Sequence, residues 1–172
     1  MMNIIIVDDD VNILSALRRA LQQMTETTLQ IESFTDPFQA LRRIFEFEFD
    51  LIICDYMMPQ MSGGELLQSL REVAPDTVRI MLSGSSSFDT VVSAINDAHA
   101  FRFMRKPWDA DELAANVRLG LEMRTTLLAA RAARAAAPKS TPTPQELEAA
   151  RLDAEEPGML TVRRDANGWI IL

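Results

Sequence analysis

The sequence predicts an α/β fold in which helices cover both faces of a doubly wound, five-stranded parallel sheet. Two observations support this prediction. Five short segments that resemble strands, four of them largely apolar, alternate with segments of helical periodicity along the first three quarters of the chain. Most of these runs are rich in Ile and Val, which is typical of strands buried on both faces. Strands separated by helices of this length pair in parallel through right-handed crossovers.

The first half of the chain contains three predicted strands and two predicted helices. The strands are Ile4–Val7, Leu29–Phe34 and Leu51–Cys54. The first helix, Val11–Gln23, has apolar residues at helical spacing. The second helix, Asp36–Phe47, begins with a capping aspartate and a proline that suits the first turn.

The second half continues the alternation of strands and helices. Val78–Leu82 and Phe101–Met104 are predicted strands, and Glu65–Glu72 and Phe88–Asp97 are predicted helices. The last helix begins at Asp109 and meets no strong breaker before a proline at position 138, so its length could reach about 40 Å. The residues predicted to face the core from this helix are Leu113, Val117, Leu121 and Leu128.

The residues after the last helix predict a linker and a small tail. Pro, Ser and Thr dominate residues 138–144. A short helix is predicted at residues 145–153 and a hairpin at residues 161–172, with Asn167-Gly168 as its turn. One helix and two strands are too few for an independent core. We therefore expect the tail either to pack on this chain, a second copy or another protein, or to be disordered.

Clustered acids follow two of the predicted strands, at the edge where open parallel sheets bind their ligands. Asp8, Asp9 and Asp10 follow the first strand, and Asp55 follows the third. Two carboxylates about 4 Å apart repel by roughly 4 kcal/mol at an effective dielectric constant near 20. Such crowding indicates a bound cation, usually Mg²⁺. Asp10 lies one position past the pair, and we expect it to cap the first helix.

Composition narrows the classes of protein to which the chain can belong. The chain has 172 residues, a net charge of −8 and a pI of about 4.7, which argues against nucleic-acid binding through a basic face. No apolar run approaches the roughly 20 residues that span a bilayer, and the N-terminus does not resemble a signal peptide. The single cysteine, Cys54, fits a reducing compartment. We expect a cytoplasmic protein.

A serine and a lysine also follow predicted strands. Together with the acids described above, they resemble the site of the receiver domain of bacterial two-component response regulators. The residues that carry the resemblance are Asp8, Asp9, Asp55, Ser83, Phe103, Lys106 and Pro107. The resemblance extends from the first strand to about Arg124 and implies a flavodoxin-like strand order of 2-1-3-4-5. The stretch Arg102–Trp108 resembles receivers that are often joined to HD-GYP phosphodiesterase domains, although we expect the remaining residues to leave no room for such a domain.

The resemblance implies a role for each of these residues. Asp55 would accept a phosphoryl group from a sensor histidine kinase, and Ser83 and Lys106 would bind its oxygens. Phe103 would move inward as Ser83 moves, unless it is simply a core residue, and the peptide bond before Pro107 is expected to be cis. The implied Mg²⁺ ligands are Asp8, Asp9, Asp55 and the backbone carbonyl of Met57.

The expected organisation combines the resemblance with the residue patterns after it. The resemblance gives a receiver domain at residues 1–124, and the patterns give an extension of its last helix at 125–137, the linker at 138–144 and the tail at 145–172. We expect no enzyme activity beyond Mg²⁺-dependent autophosphorylation and autodephosphorylation. The output would be binding to a protein partner or homodimerisation, through the tail or through the face formed by the fourth helix, fifth strand and last helix. The alternative output is a phosphorelay intermediate or a phosphate sink.

Two other functions fit the sequence less well. A phosphatase of the haloacid-dehalogenase type needs a second aspartate two residues after its nucleophile, and that position is occupied by Met57. A regulator with a helix-turn-helix output would need that pattern in the tail, which instead is acidic at Glu155-Glu156.

Overall fold

A computed structural model describes residues 1–24, 28–84 and 99–136 and contains a five-stranded, all-parallel sheet. The strand order is β2-β1-β3-β4-β5, which confirms the predicted fold. The helix predicted at residues 88–97, the linker and the tail lie outside the described residues. The strands are β1 Met2–Val7, β2 Leu29–Phe34, β3 Leu51–Asp55, β4 Val78–Ser83 and β5 Arg102–Arg105.

Each of the described helices begins at a side chain that accepts hydrogen bonds from its first turn. Asp10, Asp36, Ser62 and Asp109 accept from backbone N–H groups two or three residues later, which satisfies donors that the helix itself leaves unpaired. Asp10 therefore caps the first helix, as its position predicted. The helices are α1 Val11–Gln22, α2 Pro37–Glu46, α3 Gly63–Val73 and α4 Ala110–Ala136.

Two apolar clusters, one on each face of the sheet, hold the helices in place. Alternate residues of a strand point to opposite faces, so Ile4 and Ile6 pack with α1 and α4, whereas Ile5 and Val7 pack with α2 and α3. At Gly120, α4 approaches the sheet closely, because an added Cβ would lie 2.8 Å from Leu51 Cδ1.

The prediction for α4 is wrong at its C-terminal end. Leu113, Val117 and Leu121 are buried as predicted, but Leu128 is 40% exposed. The buried position one turn earlier is taken by Arg124. The apolar side of α4 therefore no longer contacts the sheet at Leu128.

The chain divides into two units, Met1–Ala132 and Ala133–Leu172, and the described part of the second unit is the last residues of α4.

Within the parts of the chain that the structure describes, no helix combines the length and apolar character needed to cross a bilayer.

Arg124 attaches α4 to the edge of the sheet where the strands begin. Its Nη1 donates to the carbonyl oxygens of Phe49, at 2.7 Å, and Asp76, at 3.2 Å. Its Nε lies 3.4 Å from Asp50 Oδ1. Asp50 Oδ2 in turn accepts from the backbone N–H of Asn3, at 2.7 Å. One guanidinium therefore connects the last helix to the loops that precede β3 and β4.

We expect Arg124→Met to lower the free energy of unfolding by about 2–3 kcal/mol, because it removes a buried guanidinium that donates to two backbone carbonyls and pairs with the carboxylate of Asp50. Urea denaturation measures this loss. The matched control is Arg131→Met, which removes an ion pair to Asp76 from a side chain that is 68% exposed and should cost less than about 1 kcal/mol. Equal losses in the two variants would contradict the anchoring role of Arg124.

Candidate functional site

The carboxyl ends of four strands meet at one edge of the sheet and bring four polar side chains together. Asp8 follows β1, Asp55 ends β3, Ser83 ends β4 and Lys106 follows β5. Since β3 lies between β1 and β4, Asp55 is at the centre of the group. The backbone fixes this arrangement further, because the N–H of Lys106 donates to the carbonyl of Ser83 at 2.9 Å. We call these four residues the strand-end cluster.

The ammonium group of Lys106 lies between the two carboxylates of the cluster. Its Nζ is 2.6 Å from Asp8 Oδ2 and 2.6 Å from Asp55 Oδ1. Asp8 and Asp55 are 1% and 3% exposed, and Ser83 is fully buried. Charges this well removed from water are costly unless they are paired. The lysine therefore compensates two buried negative charges at once.

Burial and pairing act in opposite directions on the charged groups of the cluster. Burial raises the pKa of Asp8, and the hydrogen bond from Lys106 only partly opposes it. For Lys106, burial acts to lower the pKa, but the hydrogen bonds to Asp55 and Asp8 outweigh it and the pKa is raised. The ammonium is therefore charged at neutral pH. Asp8 Oδ1 also accepts from the backbone N–H of Asp10, at 3.0 Å.

Gly63 is a residue of the site that sequence reasoning missed. Its N–H donates to the carbonyl of Tyr56 at 2.9 Å, and a Cβ at this position would lie 2.0 Å from the backbone oxygen of Asp55. Only glycine lets α3 begin this close to Asp55. The signal in the sequence is a capping box, in which the side chains of Ser62 and Glu65 each accept a hydrogen bond from the backbone N–H of the other residue. Helix α3 therefore starts at Gly63, two residues before the predicted start at Glu65.

Other predicted site residues lie at the margins of the cluster. Asp9 is exposed. The side chain of Met57 is 66% exposed. Phe103 is half-buried and packs against the apolar cluster on the face of the sheet that α2 and α3 cover. The Lys106–Pro107 peptide bond is cis, the isomer that the resemblance implies.

The donor groups of this edge suit a hard divalent cation. Within residues 1–24, 28–84 and 99–136, no three acidic, His or Cys side chains already form a metal-binding group. Nevertheless, the buried carboxylates of Asp8 and Asp55 both contact the ammonium of Lys106. Asp9 follows Asp8 directly in the sequence. Mg²⁺ commonly uses one or two protein carboxylates and keeps several waters. The residues present therefore fit such an ion.

Comparison with known proteins identifies relatives of this chain. A family model described as the response regulator receiver domain matches residues 4–118. The hydrogenase transcriptional regulatory protein HoxA of Bradyrhizobium diazoefficiens is 34% identical over 121 residues, which are 70% of this chain and 24% of that protein. The response regulator protein PmrA of Pseudomonas aeruginosa is 32% identical over 125 residues, which are 73% of this chain and 54% of that protein. The chain thus spans from a quarter to half of the length of these relatives.

Solved structures give the same result. The signal receiver domain of an HD domain-containing protein from Pseudomonas fluorescens is 32% identical, with a TM-score of 0.68, and the match covers 73% of this chain and 98% of that one. This likeness agrees with the predicted similarity to receivers of HD-GYP proteins. The beryllofluoride-activated receiver domain dimer of NtrC4 is 27% identical, with a TM-score of 0.66, and the match covers 72% of this chain and 99% of that one.

Proposed function

Because the chain belongs to the family of response regulator receiver domains, the signalling modules of two-component systems, we propose that Asp55 is the residue that accepts the phosphoryl group. The donor that we propose is a phosphohistidine of a sensor histidine kinase. The observation that carries this assignment is the position of Lys106 Nζ, 2.6 Å from Asp55 Oδ1. An ammonium group at that distance compensates the negative charge that a carboxylate nucleophile must carry.

The proposed reaction is a direct phosphoryl transfer. A carboxylate oxygen of Asp55 forms a bond to phosphorus while the bond between phosphorus and the donor histidine nitrogen breaks, and the electron pair stays on that nitrogen. Lys106 is placed to bind a phosphoryl oxygen, since its ammonium already lies at the carboxylate. Ser83, which ends the neighbouring strand, is the second group that we assign to the phosphoryl oxygens.

Mg²⁺ is the cofactor that we propose for this site. We assign Asp9, Asp55 and the backbone carbonyl of Met57 as its ligands, and Asp8 as a ligand that acts directly or through water. When bound, Mg²⁺ would supply screening of the negative charge that builds up between the carboxylate and the phosphoryl donor. The side chain of Met57, two residues after Asp55, is exposed, and we propose that it limits water access to the phosphoryl group.

Asp55→Asn should abolish phosphoryl acceptance, because an amide is not a nucleophile of this kind. The measurement is intact mass after incubation with acetyl phosphate and Mg²⁺, in which the parent chain should gain about 80 Da and the variant nothing. The matched control is Asp50→Asn, which changes a carboxylate just before the start of β3, at the opposite edge of the sheet, and should still gain the mass. A full gain by Asp55→Asn would refute the assignment of the acceptor.

We propose Phe103 as the residue that couples the phosphoryl group to the protein surface. Its ring is half-buried and packs against the apolar cluster on the α2 and α3 face of the sheet, so it has both an inner and an outer environment within reach. A phosphoryl group adds about −1.5 to −2 charges, and a shift of Ser83 toward it would open space for the ring.

Phe103→Ala should leave phosphoryl acceptance unchanged and remove the response of the surface. The measurement is hydrogen exchange of β5 with and without beryllofluoride and Mg²⁺. The parent chain should change its protection on activation, whereas the variant should not. An unchanged response of β5 in the variant would place Phe103 in the core without a coupling role.

For the output we propose a contact with another protein, either a downstream partner or a second copy of the chain. Receiver domains interact with histidine kinases and can dimerise, and NtrC4 is an example of a receiver dimer. We propose no catalytic activity beyond Mg²⁺-dependent autophosphorylation and autodephosphorylation. Residues 1–124 are the receiver domain in this proposal, followed by the helix extension, the linker and the tail.

A further inference from the structure

The C-terminal ends of α2 and α3 form a groove of about 500 Å³ with an acidic and aromatic lining. Because these helices run antiparallel to the strands, the groove lies at the opposite edge of the sheet from Lys106. We call it the acidic groove, and its lining residues are Ile44, Phe45, Glu46, Phe47, Glu48, Glu72 and Val73.

Phe45 is the exposed aromatic residue of the acidic groove. It is 65% exposed, although burying a phenylalanine side chain is worth about 1.5–3 kcal/mol. Exposed aromatic residues that are ringed by polar groups are typical of protein-binding surfaces.

The three glutamates give the groove a negative charge, and of these Glu46 interacts electrostatically with Arg43. Within the described residues, Glu46, Glu48 and Glu72 take part in no hydrogen bond or ion pair. The nearby Arg43 stacks on the ring of Phe47 at 4.6 Å. Its guanidinium is engaged by Glu32 through two hydrogen bonds of 2.8 Å, so it is already paired. The chemistry of the groove fits a helix that presents apolar and basic side chains.

The C-terminal end of α4 has the complementary chemistry. No acidic residue occurs from Met123 to Ala136, whereas arginines stand at positions 131 and 134. Arg131 is paired with Asp76 of its own chain, and Arg134 is exposed. Leu127 and Leu128 are 41% and 40% exposed, so their side chains are accessible to a partner. We call residues 127–136 the basic end of α4.

We infer that the basic end of α4 of a second copy of this chain binds in the acidic groove, and that the two copies exchange this contact. Charge complementarity carries the inference: an acidic surface around an exposed aromatic ring and a basic helix with exposed leucines occur in one sequence. In a two-fold dimer each chain supplies both surfaces, so the same contact forms twice and closes the assembly. This contact does not depend on phosphorylation of Asp55.

Sedimentation velocity of the full chain over a concentration series tests the dimer. The parent chain should associate, and Phe45→Ala should weaken the association about thirtyfold, which is the effect of losing a central aromatic anchor. The matched control is Phe38→Ala, an exposed aromatic residue of the same helix that lies two turns away and does not line the groove. A parent chain that stays monomeric, or equal effects of the two variants, would overturn the inference.

Charge reversal distinguishes this contact from other dimers. Glu46→Lys with Glu72→Lys makes the groove basic, and Arg134→Glu makes the helix end less basic, so each variant alone should associate about tenfold more weakly. An equimolar mixture should regain dimers. In a mixed dimer, the basic groove of the first variant meets the Arg134→Glu helix of the second variant, and the unchanged helix of the first variant meets the unchanged groove of the second. A mixture that stays as weak as its components would overturn the inference. Glu112→Lys, an exposed charge reversal elsewhere on α4, serves as control.

The phosphoryl-acceptance assay separates this inference from the proposed function. The groove and helix variants should gain about 80 Da from acetyl phosphate as fully as the parent chain, because their substitutions lie outside the strand-end cluster. Loss of association with full acceptance is the result expected here. If the parent chain accepted no phosphoryl group, the proposed role of Asp55 would be refuted, but the sedimentation test of the dimer would still be valid.

Discussion

Lys106→Met is expected to lower the free energy of unfolding by about 3 kcal/mol in metal-free buffer, which is the usual cost of removing one partner from a buried ionic group. The carboxylates of Asp8 and Asp55 would lose a cation that lies 2.6 Å from both. Methionine retains most of the length of the lysine stem, so the loss is mainly electrostatic. Urea denaturation of the two proteins, each treated with chelator, measures the difference.

Mg²⁺ should restore much of this loss, and it should stabilise Lys106→Met more than the parent chain. A ligand present at about 100 times its dissociation constant stabilises the folded state by about 2.7 kcal/mol. In the parent chain the ion must share the carboxylates with the ammonium, whereas in the variant it replaces the missing charge. The control is Arg105→Met, which removes an exposed cation one residue away. A similar stability loss in the control, or no extra effect of Mg²⁺ on Lys106→Met, would contradict the proposed electrostatics.

Gly63→Ala is expected to have the second large effect, because its methyl group cannot be accommodated without moving the backbone. The added Cβ would lie 2.0 Å from the oxygen of Asp55 and 2.9 Å from the carbonyl carbon of the same residue. Overpacking against backbone typically costs 1–3 kcal/mol and displaces the neighbouring chain. Here the displaced residue is the proposed acceptor, so both stability and the rate of phosphoryl acceptance should fall.

Gly64→Ala is the matched control for this prediction. The same added carbon meets nothing closer than 3.6 Å, a side-chain atom of Tyr56, and alanine favours the helix over glycine by about 1 kcal/mol. Gly64→Ala should therefore be neutral or slightly more stable and accept the phosphoryl group normally. Equal behaviour of the two variants, by urea denaturation and by the time course of mass gain, would contradict the close approach of α3 to Asp55.

Much of the fold could be predicted because its signals are local. Apolar runs marked the strands, and capping residues such as Asp10 and Asp36 marked the starts of helices. Three of the polar residues predicted to share an edge, Asp8, Asp55 and Lys106, do lie in contact. The sheet explains this success, since parallel strands present their carboxyl ends at a common edge.

The remaining features could not be predicted because they depend on how distant elements meet. Leu128 continues a regular helical stripe, yet it is exposed because the sheet beneath α4 ends before it. Arg79 stands in an apolar strand and is buried, because its Nη2 donates to the carbonyls of Leu70 and Ala74 at the end of α3. Which aspartate of the acidic run pairs with Lys106 is also a tertiary question, and the answer is Asp8 rather than Asp9.

Chemical mapping of the phosphorylated residue tests the central claim most directly. Borohydride reduces an acyl phosphate of aspartate to homoserine, so treatment of the chain after incubation with acetyl phosphate and Mg²⁺, followed by peptide sequencing by mass spectrometry, identifies the acceptor. We predict homoserine at position 55 and at no other aspartate. Homoserine at Asp8 or Asp9 with an unchanged Asp55, or no homoserine in a chain whose mass had increased, would contradict the account.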